Sequence, residues 1–402
     1  MKTHNTEKAP QYLIMVMCCL VYSIAYLGRY SYNANITLII DDYGTTKAQA
    51  GLVSTCFFFA YGVGQVINGI MSSRYNKKWL FTIALILSSV INLSVFFKVP
   101  FFAIKYLWFL NGLIQSCLWS GIISVVSRTI DEKHMNSAMI ILSTTACLGT
   151  ILAYGASSLF AYIGNFRTMF LFSAIVMAAL GLIWFLIYSP KYEIYENKSE
   201  PEKKAERSGF DRAFLGIILM MCVFAVIHNL IKDGLTTWAP DILKQRYGLG
   251  DSFSILLTIA LPILGVFGSL ISVRAVNRIS NFITVISLFF AVGAVSIGAI
   301  SMIPQMNMII AVIFFGIVEC VMHGVNNTVT SLAPLKMRGK ADSGKMAGIF
   351  NGCCYLGSTL SAYGLGKLAD IGGWHMVLNI LFAVCTVSVF AGIGFNIIKR
   401  QA

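Results

Sequence analysis

The sequence predicts an all-α membrane protein in which twelve transmembrane helices form two pseudo-symmetric six-helix bundles. Three observations carry that expectation. Hydrophobic residues make up 57% of the 402 and charged residues only 12%, against about 25% charged in a soluble domain. Twelve apolar runs are long enough to cross a ~30 Å hydrocarbon core, which takes roughly 20 helical residues. Features of the first half also recur in the second at an offset of about 200 residues, as a repeated unit requires.

The runs begin near Tyr12, Ala48, Trp79, Ala103, Ser137, Thr168, Phe214, Ser254, Phe282, Met306, Lys345 and Trp374. The polar start Met1 to Pro10 leads into a run that carries Arg29 and lacks a small-residue cleavage site. It therefore reads as a retained helix, not a removable signal peptide. Residues 190–212 mix Lys, Arg, Glu and Asp with Pro and Gly, the composition of a solvated linker. The expected organisation is an N-terminal six-helix bundle at 1–189, a cytoplasmic linker at 190–212 and a C-terminal six-helix bundle at 213–402.

Orientation follows from the basic residues. Most Lys and Arg fall on the side that carries both termini and the linker, while the other side has only Lys47, Lys98, Lys105, Arg167, Lys244, Arg246 and Lys367. The positive-inside rule then places both termini in the cytoplasm. The net charge of +13 is explained by these short loops, so nucleic acid is not an expected partner. All ten cysteines lie inside apolar runs, where they act as small hydrophobes, and neither a disulfide nor a metal site is expected. No phosphate-cradling G-x-x-x-x-G-K-S/T and no catalytic constellation occurs, so the chain reads as a non-enzyme with no cofactor and no direct use of ATP.

One charge stands inside the first run. An arginine near the middle of a bilayer costs roughly 2.5–3.5 kcal/mol on insertion scales, so Arg29 marks a substrate or ion path facing a bundle interior. Tyr22, Tyr26, Tyr30, Asn33 and Asn35 surround it at helical spacings, and Tyr26 and Tyr61 are the expected cavity liners. Lys232 holds the equivalent place in the first helix of the second half. Two parallel repeats would bring the two cations to a central site suited to an anion; the other reading of Lys232 is a local pair with Asp233. His228 and Asn229 are candidate substrate contacts or packing groups. Glu319 and His323 share a helix face at i and i+4 and form a candidate proton relay or a self-satisfying pair. The repeat also shows in Gly69 to Lys78 (GIMSSRYNKK) against Gly268 to Arg278 (GSLISVRAVNR), and in Leu148-Gly149-Thr150 against Leu356-Gly357-Ser358.

These residues carry a resemblance along nearly the whole chain to the major facilitator superfamily. The loop containing Gly69, Arg74, Lys77 and Lys78 resembles its helix 2–3 gating signature, with Ser73 where the signature has an acidic residue. Within the superfamily the chain is similar to the organophosphate:phosphate antiporters, the glycerol-3-phosphate and hexose-phosphate transporters. The matching segments are Tyr26-Leu-Gly-Arg29, Ala60-Tyr61-Gly62, Asp233-Gly234 with Trp238-Ala239-Pro240, and Leu332-Ala333-Pro334 with Tyr355-Leu356-Gly357. In that family two arginines clamp the substrate phosphate. Arg29 matches the first and Lys232 the second, Gln65 matches a helix 2 lysine, and Ala146 stands at a helix 5 histidine. The resemblance implies the major facilitator fold and secondary transport of a small organic anion by alternating access, with organophosphate exchanged for inorganic phosphate. A proton-coupled symporter of carboxylates or other small solutes and a transporter-like membrane sensor are the alternatives. Phosphate or protons would be the coupling ion. The expected setting is the bilayer of the inner (cytoplasmic) membrane, as a monomer.

Overall fold

A computed structural model gives the structure of the chain and describes residues 3–71, 75–189, 212–279, 281–337 and 343–401. Among these the elements are α1 (Thr3–Ala34), α2 (Ile36–Tyr43), α3 (Lys47–Met71), α4 (Lys77–Phe96), α5 (Phe101–Thr129), α6 (Glu132–Tyr162), α7 (Thr168–Ile187), α8 (Arg212–Tyr247), α9 (Asp251–Thr258), α10 (Ala260–Ile279), α11 (Phe282–Met302), α12 (Met308–Asn327), a π-helical turn (Thr328–Leu332), α13 (Ala333–Lys336) and α14 (Ser343–Gln401). Among the described residues, eleven helices are long and apolar enough to cross a membrane. The last, Lys345–Ile398, is interrupted at Gly373, whose φ of 68° and ψ of 178° are not helical. Two spans meet there, which makes twelve.

Local chemistry explains where the helices start and break. Asn76, Asp131, Asn281 and Asn307 each accept a backbone N–H of the helix that follows, from Lys78, His134, Thr284 and Ile309, as N-caps do. Pro262 has no N–H to bond the carbonyl of Thr258, and α9 gives way to α10 just there. Pro240 sits inside α8 and removes the amide that would otherwise bond the Thr236 carbonyl. Outward-facing side chains are apolar: Leu186, Val295 and Phe390 are 79%, 69% and 68% exposed. In a chain with twelve spans, that surface faces lipid.

The chain forms two compact units, Met1–Leu38 with Cys56–Ser199, and Ile39–Thr55 with Glu200–Ala402. In unit 1 a core that includes Ile14, Cys18, Phe81, Leu118 and Trp184 is threaded by buried polar bonds. Ser31 donates to Asn92 Oδ1 at 2.9 Å, Asn35 donates to Ser157 Oγ at 2.9 Å, and Ser23 donates to the Thr145 carbonyl at 3.0 Å. These tie α1 and the residue that follows it to α4 and α6, and such bonds replace the hydrophobic drive that lipid does not supply. In unit 2, α8 packs on α14, α10 on α12 and α11 on α14. Asp370 accepts the N–H groups of Lys47 and Ala48 at 3.1 and 2.8 Å, so its carboxylate caps the start of α3.

The looser sequence repeat has a physical basis. A Cβ at Gly149 would meet the Ser23 carbonyl and Tyr26, and one at Gly357 would meet the Val226 carbonyl and Leu230 N. Ser23 precedes Arg29 by the same interval as Val226 precedes Lys232. Each unit therefore uses one glycine to bring its cation-bearing helix against the same neighbour in the repeat.

Candidate functional site

Arg29 is 5% exposed in α1, and aromatic faces surround its guanidinium. Its Cζ lies 4.2 Å from the ring centroid of Tyr61, 4.4 Å from Tyr26 and 4.9 Å from Phe57. Each such contact contributes about 0.5–2 kcal/mol depending on desolvation. The rings support one another, since Tyr26 stacks on Tyr30 at 5.6 Å and Phe57 stacks on Tyr61 at 5.8 Å. Gln65, one turn along α3, donates to the Tyr61 hydroxyl at 3.1 Å. Tyr22 closes the stripe against Tyr26 and Trp119. No Asp or Glu occurs in the sequence at 43–130 or 133–192, so from α3 to α7 the carboxylates are Asp131 and Glu132, at the start of α6.

The second half treats its charges differently. Lys232 Nζ lies 3.1 Å from Asp233 Oδ1, with the side chains 16% and 9% exposed. The other Asp233 oxygen accepts from Ser358 Oγ at 2.5 Å and from Asn229 Nδ2 at 3.3 Å. Asn229 also donates to the Cys354 carbonyl at 2.9 Å. Lys232 is thus ion-paired, and its partner is fixed to α14. His228 is fully buried, with Nδ1 2.9 Å from the Phe224 carbonyl and Nε2 3.2 Å from Asn326 Oδ1; these contacts lock the ring between its own helix turn and α12. On α12, His323 Nε2 is 3.3 Å from Glu319 Oε1, which also accepts from Thr236 Oγ1 at 3.3 Å.

The structure thus brings Arg29, Tyr26, Tyr61 and Gln65 together in unit 1. In unit 2 it groups Lys232 with Asn229, and Glu319 with His323. Of the gating loop, Gly69 belongs to helical α3, while Arg74 lies outside the described residues. Lys77 is buried, its Nζ donating to the Tyr75 carbonyl at 3.0 Å and its own carbonyl accepting Trp184 Nε1 at 3.2 Å. Lys78 reaches 4.4 Å from the Phe185 ring. Residues 190–211 of the linker also lie outside the described residues.

The Major Facilitator Superfamily profile matches residues 18–362. The chain belongs to that superfamily. Among curated proteins, this superfamily member is 22% identical to the membrane sensor protein UhpC of Salmonella typhimurium, over 94% of this chain and 89% of that one. It is 25% identical to sugar phosphate exchanger 3 of Gallus gallus, over 84% and 77%. It is 20% identical to a probable hexose phosphate transport protein of Chlamydia pneumoniae, over 92% and 87%. Solved structures share the fold at 14% identity: a bacterial homolog of the lysosomal transporter Spinster, inward-facing and occupied (TM-score 0.77, covering 97% of each chain), and a point mutant of the nucleoside transporter NupG (TM-score 0.76, 95% of this chain and 99% of that one). This multi-pass superfamily member has the fold of membrane transporters and is not an enzyme.

Phe57, Ser358 and Thr236 were not legible as site residues. Phe57 is one of 28 phenylalanines, most of which serve packing or lipid contact. One signal was available for it: Phe57 stands one helical turn before Tyr61, so the two share a face.

Proposed function

We propose that the protein is a secondary active transporter that carries a small organic anion across the cytoplasmic membrane by alternating access, exchanging an organophosphate for inorganic phosphate. The observation that carries this reading is Arg29, buried in α1 with Tyr61, Tyr26 and Phe57 around its guanidinium. A guanidinium presents a planar, fork-shaped array of donors that suits two oxygens of one anionic group. The sugar phosphate and hexose phosphate relatives supply the substrate class. Residues 1–189 and 213–402 act as the two moving halves in this reading, with both termini and the 190–212 linker cytoplasmic. Lys232 is the second cation, and Asp233 tempers it.

Counterflow tests the proposal. Purified protein in proteoliposomes preloaded with inorganic phosphate should take up labelled phosphate, and glycerol and hexose phosphates should compete. Arg29→Ala should lower exchange by at least about a hundredfold, the 2.7 kcal/mol equivalent of losing a charge-assisted pair, while leaving the protein monodisperse. Normal exchange in that variant would make Arg29 structural. A second reading, a sensor that binds without carrying, is favoured by the UhpC relative. Saturable phosphate-ester binding with no counterflow would select it.

A further inference from the structure

A recess of about 360 Å³ lies between α3, α4 and α5 of unit 1, with Ile67, Ile83, Ala84, Leu113 and Cys117 on its walls and Tyr75 at one end. That volume is in the range of about 300–1,000 Å³ typical of ligand sites. Ile67, Ile83 and Leu113 are exposed, and in a membrane-spanning bundle such side chains meet lipid. The floor is built at Gly64, where a Cβ would strike Ser116 of α5, and Asn68 Nδ2 donates to Ser116 Oγ at 2.9 Å. These contacts pin α3 to α5, and the recess opens beside them. From the first turn of α4 to Ala84 it runs about 10 Å at 1.5 Å per residue. That is less than half of a ~30 Å hydrocarbon core.

The Tyr75 end of the recess is positive. Lys77 is buried, its Nζ donates to the Tyr75 carbonyl at 3.0 Å, and its charge acts on the Cys117 thiol, so the ammonium lies by two of the lining residues. Leu80 and Ala84 share its face of α4 at three and seven residues along. Lys78, by contrast, turns away and reaches over the Phe185 ring of α7 at 4.4 Å. The sequence of α3, α4 and α5 contains no Asp or Glu. The walls therefore contribute positive charge and no negative charge, which favours an anion at this end in low-dielectric surroundings.

We propose that the recess is a binding site for an anionic glycerophospholipid, with one acyl chain against Ile67, Ile83, Ala84 and Leu113 and the phosphate at the Tyr75 end beside Lys77. The inference needs the membrane setting but not the transport reading. With the orientation proposed above, the lipid belongs to the cytoplasmic leaflet, whose anionic lipids attract basic groups near the surface. The two parts of the lipid act differently. Its chain leaves one hydrocarbon environment for another, so there is little hydrophobic gain, and dispersion contacts in the recess only hold it in place. Selection among lipids then falls on the headgroup charge. The bound chain braces the stretch of α3 that presents Tyr61 to Arg29.

Native mass spectrometry tests this without any substrate. The full-length protein in detergent is mixed with equal amounts of phosphatidylglycerol, phosphatidylethanolamine and phosphatidylcholine carrying identical chains. A single phosphatidylglycerol adduct should exceed either zwitterionic adduct several-fold. Lys77→Met keeps the aliphatic stem and should bring that ratio close to one. Ala84→Phe fills the recess and should lower the adducts of all three lipids, whereas Lys78→Gln should behave as the unmodified protein does. If Lys77→Met does not fold, the contrast between Ala84→Phe and Lys78→Gln decides. In nanodiscs, replacing part of the phosphatidylcholine by phosphatidylglycerol should raise the melting temperature by a few degrees, and Ala84→Phe should abolish the rise. Equal retention of the three lipids by the unmodified protein overturns the proposal, as does a preference for phosphatidylglycerol that survives both Lys77→Met and Ala84→Phe.

Discussion

Arg29 and Lys232 carry the same charge in surroundings of different kinds. Three rings surround the arginine, whereas the lysine faces a carboxylate that Ser358 and Asn229 hold in place. Breaking a buried pair by removing one partner costs about 3–5 kcal/mol, because the survivor is left uncompensated. Asp233→Asn keeps the shape of the network and removes the counter-charge. It should lower thermal stability and raise the apparent affinity for dianionic phosphate esters by roughly tenfold, the 1.4 kcal/mol of one decade. Competition by phosphate esters and by carboxylates, measured on both proteins, reads the change; an identical rank order would show that Lys232 does not contact the anion. At this scale the sequence exposed what was locally anomalous. A lone arginine in an apolar run is visible without a structure. Asp233 could be seen beside Lys232, but not that Ser358, from a helix much later in the chain, orients it.

Helices were the more legible level, because hydropathy is a property of a short window and each span is one window. The start near Trp374 was readable for the same reason, although the backbone runs from Lys345 to Ile398 with a single interruption. Interruptions themselves were harder to see. Pro262 ends one helix segment and starts another, whereas Pro240 stays inside α8; the surrounding packing, not the proline, decides which occurs. Gly373 lies in a region of backbone space that is almost exclusive to glycine, where another residue costs about 1–3 kcal/mol. Gly373→Ala should therefore lower the melting temperature of the solubilised protein by several degrees. Gly364→Ala, on the same helix with open space at its Cβ, should not. Equal melting temperatures for the two variants would mean that the bend is not held by that conformation.

For the whole chain, the skew of Lys and Arg towards one side is the strongest orientation signal. A reporter that is active only in the cytoplasm should work when fused after Ala402 or inserted near Lys198, and activity of a periplasm-specific reporter at either place would reverse the topology. The repeat was legible as paired motifs, yet its cause, a glycine in each half that admits the neighbouring helix, needed coordinates. Which groups meet across helices could not be read from a single chain without knowing the packing. One further consequence comes from the bend. Trp374, next to Gly373, donates through Nε1 to Asp241 at 2.7 Å, and its ring centroid is 5.3 Å from that of Trp238, which donates to the Ala362 carbonyl at 3.1 Å. Two indoles so close and so fixed couple their electronic transitions. Unit 2 thus contains its own optical probe, and near-ultraviolet circular dichroism can report its rearrangements without a label or an added cysteine.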